Sequence, residues 1–301
     1  MTGAASRINV APPASDRFVA VDWGTTNRRA YLIEDGALVR TERDGIGIVA
    51  VPPGGFADAA AALRARFDGA PMLLAGMVGS NRGWIDAGYV PCPAGLDALA
   101  DGLVSPLDGV WIVPGVSTIA GTRGDVMRGE EVQLLGAVAA GLAPPDALLA
   151  QPGTHCKWAR MAGGAIARFA TAMTGELFAL LRDHALIGAA MTGPVTVGEA
   201  FAAGVDRAGE GDLTTALFGV RPASLLGLRD DADAASYVSG LLIGSDVRAH
   251  AEASDTVYLL ADPELGALYA AALERVGARA VLIDSHLAFV AGISRLWERA
   301  R

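Results

Sequence analysis

The chain has 301 residues, of which 52% are hydrophobic and 19% are charged, and its net charge is −9. This composition predicts a packed globular protein, either one large α/β unit or two domains of ordinary size. The negative charge argues against nucleic-acid binding, which needs a basic face, and every apolar stretch is interrupted before it could span a bilayer. Only Cys92 and Cys156 are present, too few for a disulfide framework. We expect a cytoplasmic protein without nucleic-acid or membrane partners; the sequence leaves a homodimer open.

The first part of the chain predicts three strands followed by alternating helices and strands. Residues 1–16 have no long apolar core and predict a disordered tail. Strands are expected over 18–21, 29–33 and 37–41, with Asp35-Gly36 as a tight hairpin turn. Next come a helix over 56–67, strands over 71–75 and 110–113, and a helix over 130–141 that the following prolines stop.

The same pattern then begins again. Strands are expected over 147–150, 156–161 and 165–170, and a helix over 176–186. A Gly-Thr pair follows the first strand in each half, at 24–25 and 153–154. Such a repeat predicts two similar lobes, 17–144 and 145–301, with a ligand in the cleft between them.

Helices dominate beyond residue 199, and two strands alternate with them near the C-terminus. A long helix is expected over 234–251, and the assignment of 222–228 is open. A strand over 256–260, a helix over 263–276, a strand over 280–283 and a helix over 286–299 complete the chain. This alternation is typical of a mostly parallel part of a mixed sheet.

Two turns have the composition of phosphate-binding loops. In Asp22–Asn27, the aspartate could hold Mg²⁺, and Gly24, Thr25 and Thr26 could present N–H and hydroxyl donors to phosphate. An ordinary hairpin uses the same residue types. The counterpart, Gln151–Trp158, offers Gly153, Thr154, His155 and Lys157. Lys157 is the single lysine among 24 basic residues, which suggests a need for a compact ammonium.

Other candidate residues lie in three segments. Asp125, Glu130 and Glu131 stand at the predicted start of the 130–141 helix, where a carboxylate could either accept a hydroxyl proton or stabilise the helix dipole. The Gly-rich segment 75–84 follows a buried strand, as ligand-binding loops often do. Asp262 precedes Pro263 in a strand-to-helix turn that could approach a nucleotide.

Five motifs in order give the sequence a resemblance to the 2-dehydro-3-deoxygalactonokinase family. They span nearly the whole chain and comprise Asp22–Asn27, Gly76–Asn81, Val126–Glu131, Pro152–Trp158 and Met173–Leu177. The resemblance implies two ribonuclease-H-like lobes of the actin-like ATPase and sugar-kinase fold, with ATP and Mg²⁺. It also implies phosphorylation of the 6-hydroxyl of 2-dehydro-3-deoxy-D-galactonate in galactonate breakdown. The family's Gly-Gly adenosine motif is not evident.

On this interpretation each candidate has an expected role. Glu130, Glu131 or Asp125 would be the base and Asp22 would hold the metal. Phosphate and nucleotide would be bound by Gly24, Thr25, Thr26, Gly153, Thr154, His155, Lys157 and Asp262. The substrate would be bound by Arg28, Ser80, Asn81, Arg82, Trp84 and Arg128, since a bidentate arginine suits a carboxylate. Three alternatives stay open: a kinase for the gluconate epimer, a phosphohydrolase of the same fold, and a non-catalytic nucleotide switch.

Overall fold

A computed structural model describes residues 11–301 of the protein. Its strands are β1 (Arg17–Trp23), β2 (Arg28–Glu34), β3 (Ala37–Asp44), β4 (Met72–Ala75), β5 (Tyr89–Pro91), β6 (Val104–Leu107), β7 (Val110–Ile112), β8 (Gly115–Ala120), β9 (Arg123–Met127), β10 (Leu148–Gln151), β11 (Cys156–Ala162), β12 (Ala165–Ala172), β13 (Thr256–Leu260) and β14 (Arg279–Ile283). Its α-helices are α1 (Phe56–Ala65), α2 (Leu96–Asp101), α3 (Glu130–Ala139), α4 (Thr174–His184), α5 (Glu199–Ala208), α6 (Leu213–Phe218), α7 (Val220–Leu225), α8 (Asp231–His250), α9 (Pro263–Arg275) and α10 (Ser285–Ala300).

The chain forms two compact units. The first contains the described residues up to Asp146, together with Arg160–Phe169 and Ser285–Arg301, and the second contains Ala147–Ala159 and Ala170–Asp284. This division differs from the sequence-based lobes at two segments, Arg160–Phe169 and α10, which both belong to the first unit. Helix α10 contributes its buried face to the core of that unit. Among the described residues, no helix has both the length and the apolar character needed to cross a bilayer.

Two sheets share one topology. The first has the strand order β3-β2-β1-β4-β7-β6, and the second has the order β12-β11-β10-β13-β14. In each sheet the first three strands of the repeat are consecutive neighbours, and the next strand of the sheet pairs in parallel with the first, β4 with β1 and β13 with β10. The repeated sequence pattern predicts two similar lobes, and this shared topology is the ribonuclease-H-like arrangement that the family resemblance implies.

The local sequence explains the confirmed elements. Phe18–Val21 are at most 2% exposed in β1, which is the continuous apolar run of a strand buried on both faces. Asp35 and Gly36 both have positive φ, 52° and 75°, as the tight turn between β2 and β3 requires. Helix α9 begins at Pro263, and the Asp262 carboxylate caps it by accepting from Leu265 N at 3.0 Å.

The structure also contains elements that the sequence analysis did not predict. The largest is a separate sheet of order β5-β8-β9, in which β5 pairs in parallel with β8 although 23 residues separate their ends. Residues 1–10 of the expected disordered tail lie outside the described residues. The remainder of that tail makes contacts: Trp297 Nε1 donates to the Ser15 carbonyl at 2.8 Å, and Arg301 forms an ion pair with Asp16.

Candidate active site

Asp22 and the segment after β4 emerge at the same edge of the first sheet. Strands β1 and β4 are parallel with Asp22 opposite Ala75, so the next residue after β4, Gly76, lies beside Asp22. Gly76 has φ +96°, and a Cβ there would lie 2.9 Å from the Trp23 carbonyl and 3.4 Å from Asp22 Oδ1. A glycine is therefore required for this close approach.

The backbone of residues 47–49 packs against the Gly24–Asn27 turn and fixes it, a contact that the sequence did not predict. Gly24 N donates to Asn27 O at 3.0 Å, while Ile48 N and Val49 N donate to the carbonyls of Gly24 and Thr25 at 3.0 and 3.2 Å. A Cβ on Gly47 would lie 2.3 Å from Thr25 O. Thr25 and Thr26 remain exposed, so their hydroxyl groups are accessible to a ligand.

The segment Arg128–Glu131 brings two more carboxylates to this edge. Gly129 has φ +103°, and a Cβ there would lie 3.1 Å from Gly76 Cα. Glu130 Oε2 accepts from Arg128 N at 3.1 Å, and Glu131 Oε2 accepts from Gly129 N at 2.6 Å. Helix α3 thus starts against the Gly76 turn, with both acids in its first turn.

The electrostatics distinguish these acids. Burial raises the pKa of Asp22 to about 6; Arg29 opposes that shift and the Glu130 carboxylate adds to it. Burial, reinforced by Glu130, raises the pKa of Glu131 to about 8, and its Oε1 has no hydrogen-bond partner. Glu131 is fully buried, whereas Glu130 is only partly buried. Glu130 is therefore the acid of this pair that a substrate can reach.

Asp125 is not at the helix start, contrary to the sequence prediction. It lies in β9, opposite Thr118 of β8. Its Oδ1 accepts from Val126 N at 2.7 Å. This short strand has no periodic apolar pattern in the sequence, because its residues are mostly exposed and include Gly124.

Several predicted substrate residues line one cavity in the first unit. Its volume is about 810 Å³, and Ser80, Asn81, Arg82 and Trp84 are among its lining residues. The Trp84 ring stacks on Phe56 with 6.4 Å between centroids and 11° between planes. The Ser80 hydroxyl donates to Met77 O at 2.7 Å and accepts from Arg82 N at 3.2 Å, which fixes the loop. The exposed Arg82 is the cation of this group.

The other two predicted arginines have internal partners. Arg28 is 3% exposed, binds both carboxylate oxygens of Asp44 at 3.2 and 2.8 Å, and stacks over Trp23. Arg128 donates to Gly88 O at 3.0 Å and lies over the Tyr89 ring, while its Nε and Nη1 have no partner. Arg28 therefore stabilises the β2–β3 region, and the sequence could not distinguish this role from substrate binding.

In the second unit, the 152–155 turn packs on the start of α4. Glu176 N donates to Thr154 O at 2.9 Å, and a Cβ on Gly175 would lie 2.4 Å from Gly153 O. On the exposed side of the turn, His155 Nε2 lies 2.6 Å from Glu176 Oε2. Lys157 is 5% exposed, and its Nζ donates to Thr171 Oγ1 at 2.9 Å.

A cavity of about 160 Å³ lies beside this turn. Its lining residues are predominantly apolar and are Gly153, Thr174, Gly175, Phe178, Val195, Ser239, Leu242, Ile243, Leu265, Leu268 and Tyr269. An apolar cavity of about 150 Å³ holds one aromatic ring such as benzene. Three of these residues lie on α9, close to the turn at Asp262 that the sequence analysis singled out. Gly153, Thr174 and Gly175 belong to motifs that the sequence analysis quoted, whereas Phe178, Val195, Ser239, Leu242 and Ile243 had no signal in the sequence, because they come from distant parts of the chain.

The repeated topology, with a Gly-Thr turn after the first strand of each repeat, defines a protein of the actin-like ATPase and sugar-kinase fold. The sequence model of the family described as 2-keto-3-deoxy-galactonokinase matches residues 22–296. The chain belongs to this family.

Individual relatives agree with that assignment. The chain is 36% identical to 2-dehydro-3-deoxygalactonokinase of Escherichia coli (strain K12), over 92% of this chain and 96% of the relative. It is 37% identical to a Rhizobium meliloti (strain 1021) protein described as a probable 2-dehydro-3-deoxygalactonokinase, over 92% and 95%. A crystal structure of a Sinorhizobium meliloti protein, described as a putative 2-dehydro-3-deoxygalactonokinase, superposes with a TM-score of 0.86 at 36% identity, covering 93% of this chain and 97% of that one.

Proposed function

We propose that the protein transfers the γ-phosphoryl group of ATP to the 6-hydroxyl of 2-dehydro-3-deoxy-D-galactonate. The observation that carries this proposal is the family match over residues 22–296. The arrangement of the first unit supports it, because a partly exposed carboxylate, an exposed Thr-Thr turn and a cavity with an arginine adjoin one sheet edge. Such a reaction uses ATP, which agrees with the cytoplasmic location expected from the sequence.

The proposed base is Glu130. Its carboxylate would take the proton of the 6-hydroxyl as that oxygen forms a bond to the γ-phosphorus, while the bond from phosphorus to the β–γ bridging oxygen breaks and ADP leaves. Glu130 suits this role because it is partly exposed and its Oε2 is oriented by Arg128 N. Glu131 is buried, so a substrate cannot reach it, and Asp125 lies in β9 rather than on α3.

The acids at this edge of the sheet are suited to a magnesium ion whose ligands are mainly nucleotide and water oxygens. Among residues 11–301, no group of three or more His, Cys, Asp or Glu side chains could form a complete metal site. Mg²⁺ characteristically binds one or two carboxylates and keeps water and phosphate oxygens as its other ligands. Asp22 would hold the ion, whose chemistry is to neutralise charge on the phosphate oxygens.

Substrate binding is proposed for the cavity of the first unit. Arg82 would bind the sugar-acid carboxylate, since it is exposed there while Arg28 is already paired with Asp44. Asn81 would offer its amide to hydroxyl groups, and the stacked Trp84 and Phe56 rings would contact the apolar face of the carbon chain. Ser80 would act through the loop that it fixes.

The nucleoside of ATP is proposed to bind in the apolar cavity of the second unit. The cavity borders Gly153, so a base in it would have its phosphates near the backbone of the 152–155 turn. His155, oriented by Glu176, would be a further phosphate donor. Asp262 would contribute indirectly, by capping the helix that supplies Leu265, Leu268 and Tyr269.

The test is a coupled ADP-release assay with a panel of 2-keto-3-deoxy sugar acids. We expect turnover with the galactonate derivative to exceed that with its gluconate epimer, and no ADP release without an acceptor. Preference for the gluconate epimer would change the substrate assignment. ADP release at full rate without any sugar acid would instead indicate a phosphohydrolase.

A further inference from the structure

A buried carboxylate lies directly behind the apolar cavity of the second unit. Asp246, on α8, is 6% exposed. Its Oδ1 accepts from Trp158 Nε1 at 2.8 Å, and its Oδ2 accepts from Thr174 Oγ1 at 2.8 Å and Tyr269 OH at 2.7 Å. His250 Nε2 lies 3.7 Å from Oδ1. One side chain therefore connects α8 to β11, α4 and α9.

Two of these three donors also form the cavity. Thr174 and Tyr269 both line the cavity. Thr174 precedes α8 in the chain and Tyr269 follows it. Thr174 is the first residue of α4, and the following Gly175 packs on the Gly153 carbonyl with no room for a side chain. Displacement of Thr174 would thus shift both the cavity wall and the Gly-Thr turn beside it.

An apolar side chain would serve better than a carboxylate at a buried position whose only role is packing. A buried charge loses much of its hydration, which hydrogen bonds must offset. Charged acceptors form shorter and stronger bonds than neutral ones, and they fix the direction of each donor. Burial also raises the pKa of Tyr269 well above 10, so its hydroxyl remains a donor to Asp246.

We propose that Asp246 is a positioning residue for the nucleotide, which holds Thr174 and Tyr269 in the geometry that the ATP cavity requires. The inference rests on the proposed function, in which this cavity takes the nucleoside. Asp246 acts through its hydrogen-bond donors and does not touch the reacting atoms. Its loss therefore affects the binding of ATP and leaves the acceptor site in the first unit unchanged.

The test is the isosteric substitution Asp246→Asn. The amide oxygen can still accept from Trp158, but its NH₂ group then faces two hydroxyls that had been donors, so both must reorient. We expect KM for ATP to rise about tenfold or more, while kcat and KM for the sugar acid stay within about twofold. The matched control is Asp233→Asn, an exposed acid in the first turn of the same helix, which should leave all three constants unchanged.

Binding measurements separate this inference from the proposed function. ATP should raise the Tm of the wild type by several degrees and that of Asp246→Asn much less at the same concentration. A wild type that neither binds ATP nor turns over would overturn the proposed function and this inference together. An active Asp246→Asn protein with wild-type KM for ATP would overturn the inference alone. If that variant does not fold, Tyr269→Phe decides: a raised KM for ATP supports the role of the Asp246 bonds, and an unchanged one rejects it.

Discussion

Asp22, Glu130 and Glu131 show how burial separates carboxylates that look equivalent in a sequence. All three belong to motifs of the first unit, and two are adjacent. Residues adjacent on a helix point about 100° apart, so Glu131 turns into the core while Glu130 stays partly exposed. A buried acid with a pKa of about 8 is mostly protonated at neutral pH, which makes it a poor proton acceptor there.

The first prediction concerns the base. Glu130→Gln should lower kcat by about 10²–10⁴-fold with little change in KM for the sugar acid, the usual scale for losing general-base assistance. Glu131→Gln should cost much less, because the amide is a neutral isostere of the protonated acid, and Asp125→Asn less again. Steady-state kinetics of the three variants check this order. A larger loss of kcat in Glu131→Gln or Asp125→Asn would move the assignment of the base to that residue. Near-normal kcat in all three variants would mean that the start of α3 has only a structural role.

The second prediction concerns Asp22 and magnesium. Asp22→Asn should keep the fold and nearly abolish Mg²⁺-dependent turnover. In the wild type, protons should compete with the ion: the pKa of Asp22 is raised to about 6, so the carboxylate is ionised above that pH and neutral below it. The apparent affinity for Mg²⁺ should therefore fall as pH drops from 7.5 to 5.5, as measured by Mg²⁺ titration of the initial rate. A wild-type rate in the Asn variant would show that Asp22 only shapes the turn.

At the scale of elements, α3 and α10 cross at two glycines. A Cβ on Gly136 would lie 1.9 Å from Ala288 O, and one on Gly292 would lie 2.0 Å from Val132 O. Since the nearest atoms are backbone, neither helix can yield by a side-chain rotation. The sequence does not reveal that these two positions need glycine, because the need arises from the close approach of the neighbouring helix.

The third prediction follows from this crossing. Gly136→Ala should destabilise the protein by about 1–3 kcal/mol through overpacking, although alanine in place of glycine favours an isolated helix by about 1 kcal/mol. Urea unfolding followed by circular dichroism measures the difference. Gly45→Ala is the control, since a Cβ there has no neighbour within 4 Å. Equal stability of the two variants would mean that α3 and α10 are farther apart than described.

At the scale of the whole molecule, the last helix completes the unit that the N-terminal strands begin. Phe18 of β1 stacks on Trp297 with 4.6 Å between centroids, and Trp111 of β7 meets the same ring edge-on. Ala288, Phe289, Ile293, Leu296 and Trp297 are each at most 2% exposed. The core of the first unit is therefore incomplete until α10 has been synthesised.

The fourth prediction is that removal of residues 285–301 prevents folding of the first unit. Burial of four large side chains contributes about 1.5–3 kcal/mol each, a sum comparable to the whole stability of a typical domain. The expected result is an insoluble protein, or one that binds a hydrophobic dye and lacks a cooperative melting transition. Arg295→Ala, on the exposed face of the same helix, should melt like the wild type. A truncated protein with the wild-type Tm would contradict the assignment of α10 to this core.

The sequence by itself determined the repeated strand-turn-strand pattern, the two Gly-Thr turns, the presence of the long helix α8, the start of α9 at Pro263, and the family resemblance. Those features depend on interactions between residues near in the chain, namely alternation of apolar residues, turn chemistry and helix capping. The element bounds differ from the predicted ones by a few residues, because helix and strand ends are fixed by weak local preferences.

The tertiary structure decided the rest. It placed Asp125 in a strand of the β5-β8-β9 sheet, paired Arg28 with Asp44, buried Glu131 beside Glu130, and joined Trp158, Thr174 and Tyr269 at Asp246. Each of these outcomes depends on which distant residues share a packed interior. Packing sets the burial of every charge and the partner of every donor, and a local pattern carries no information about either.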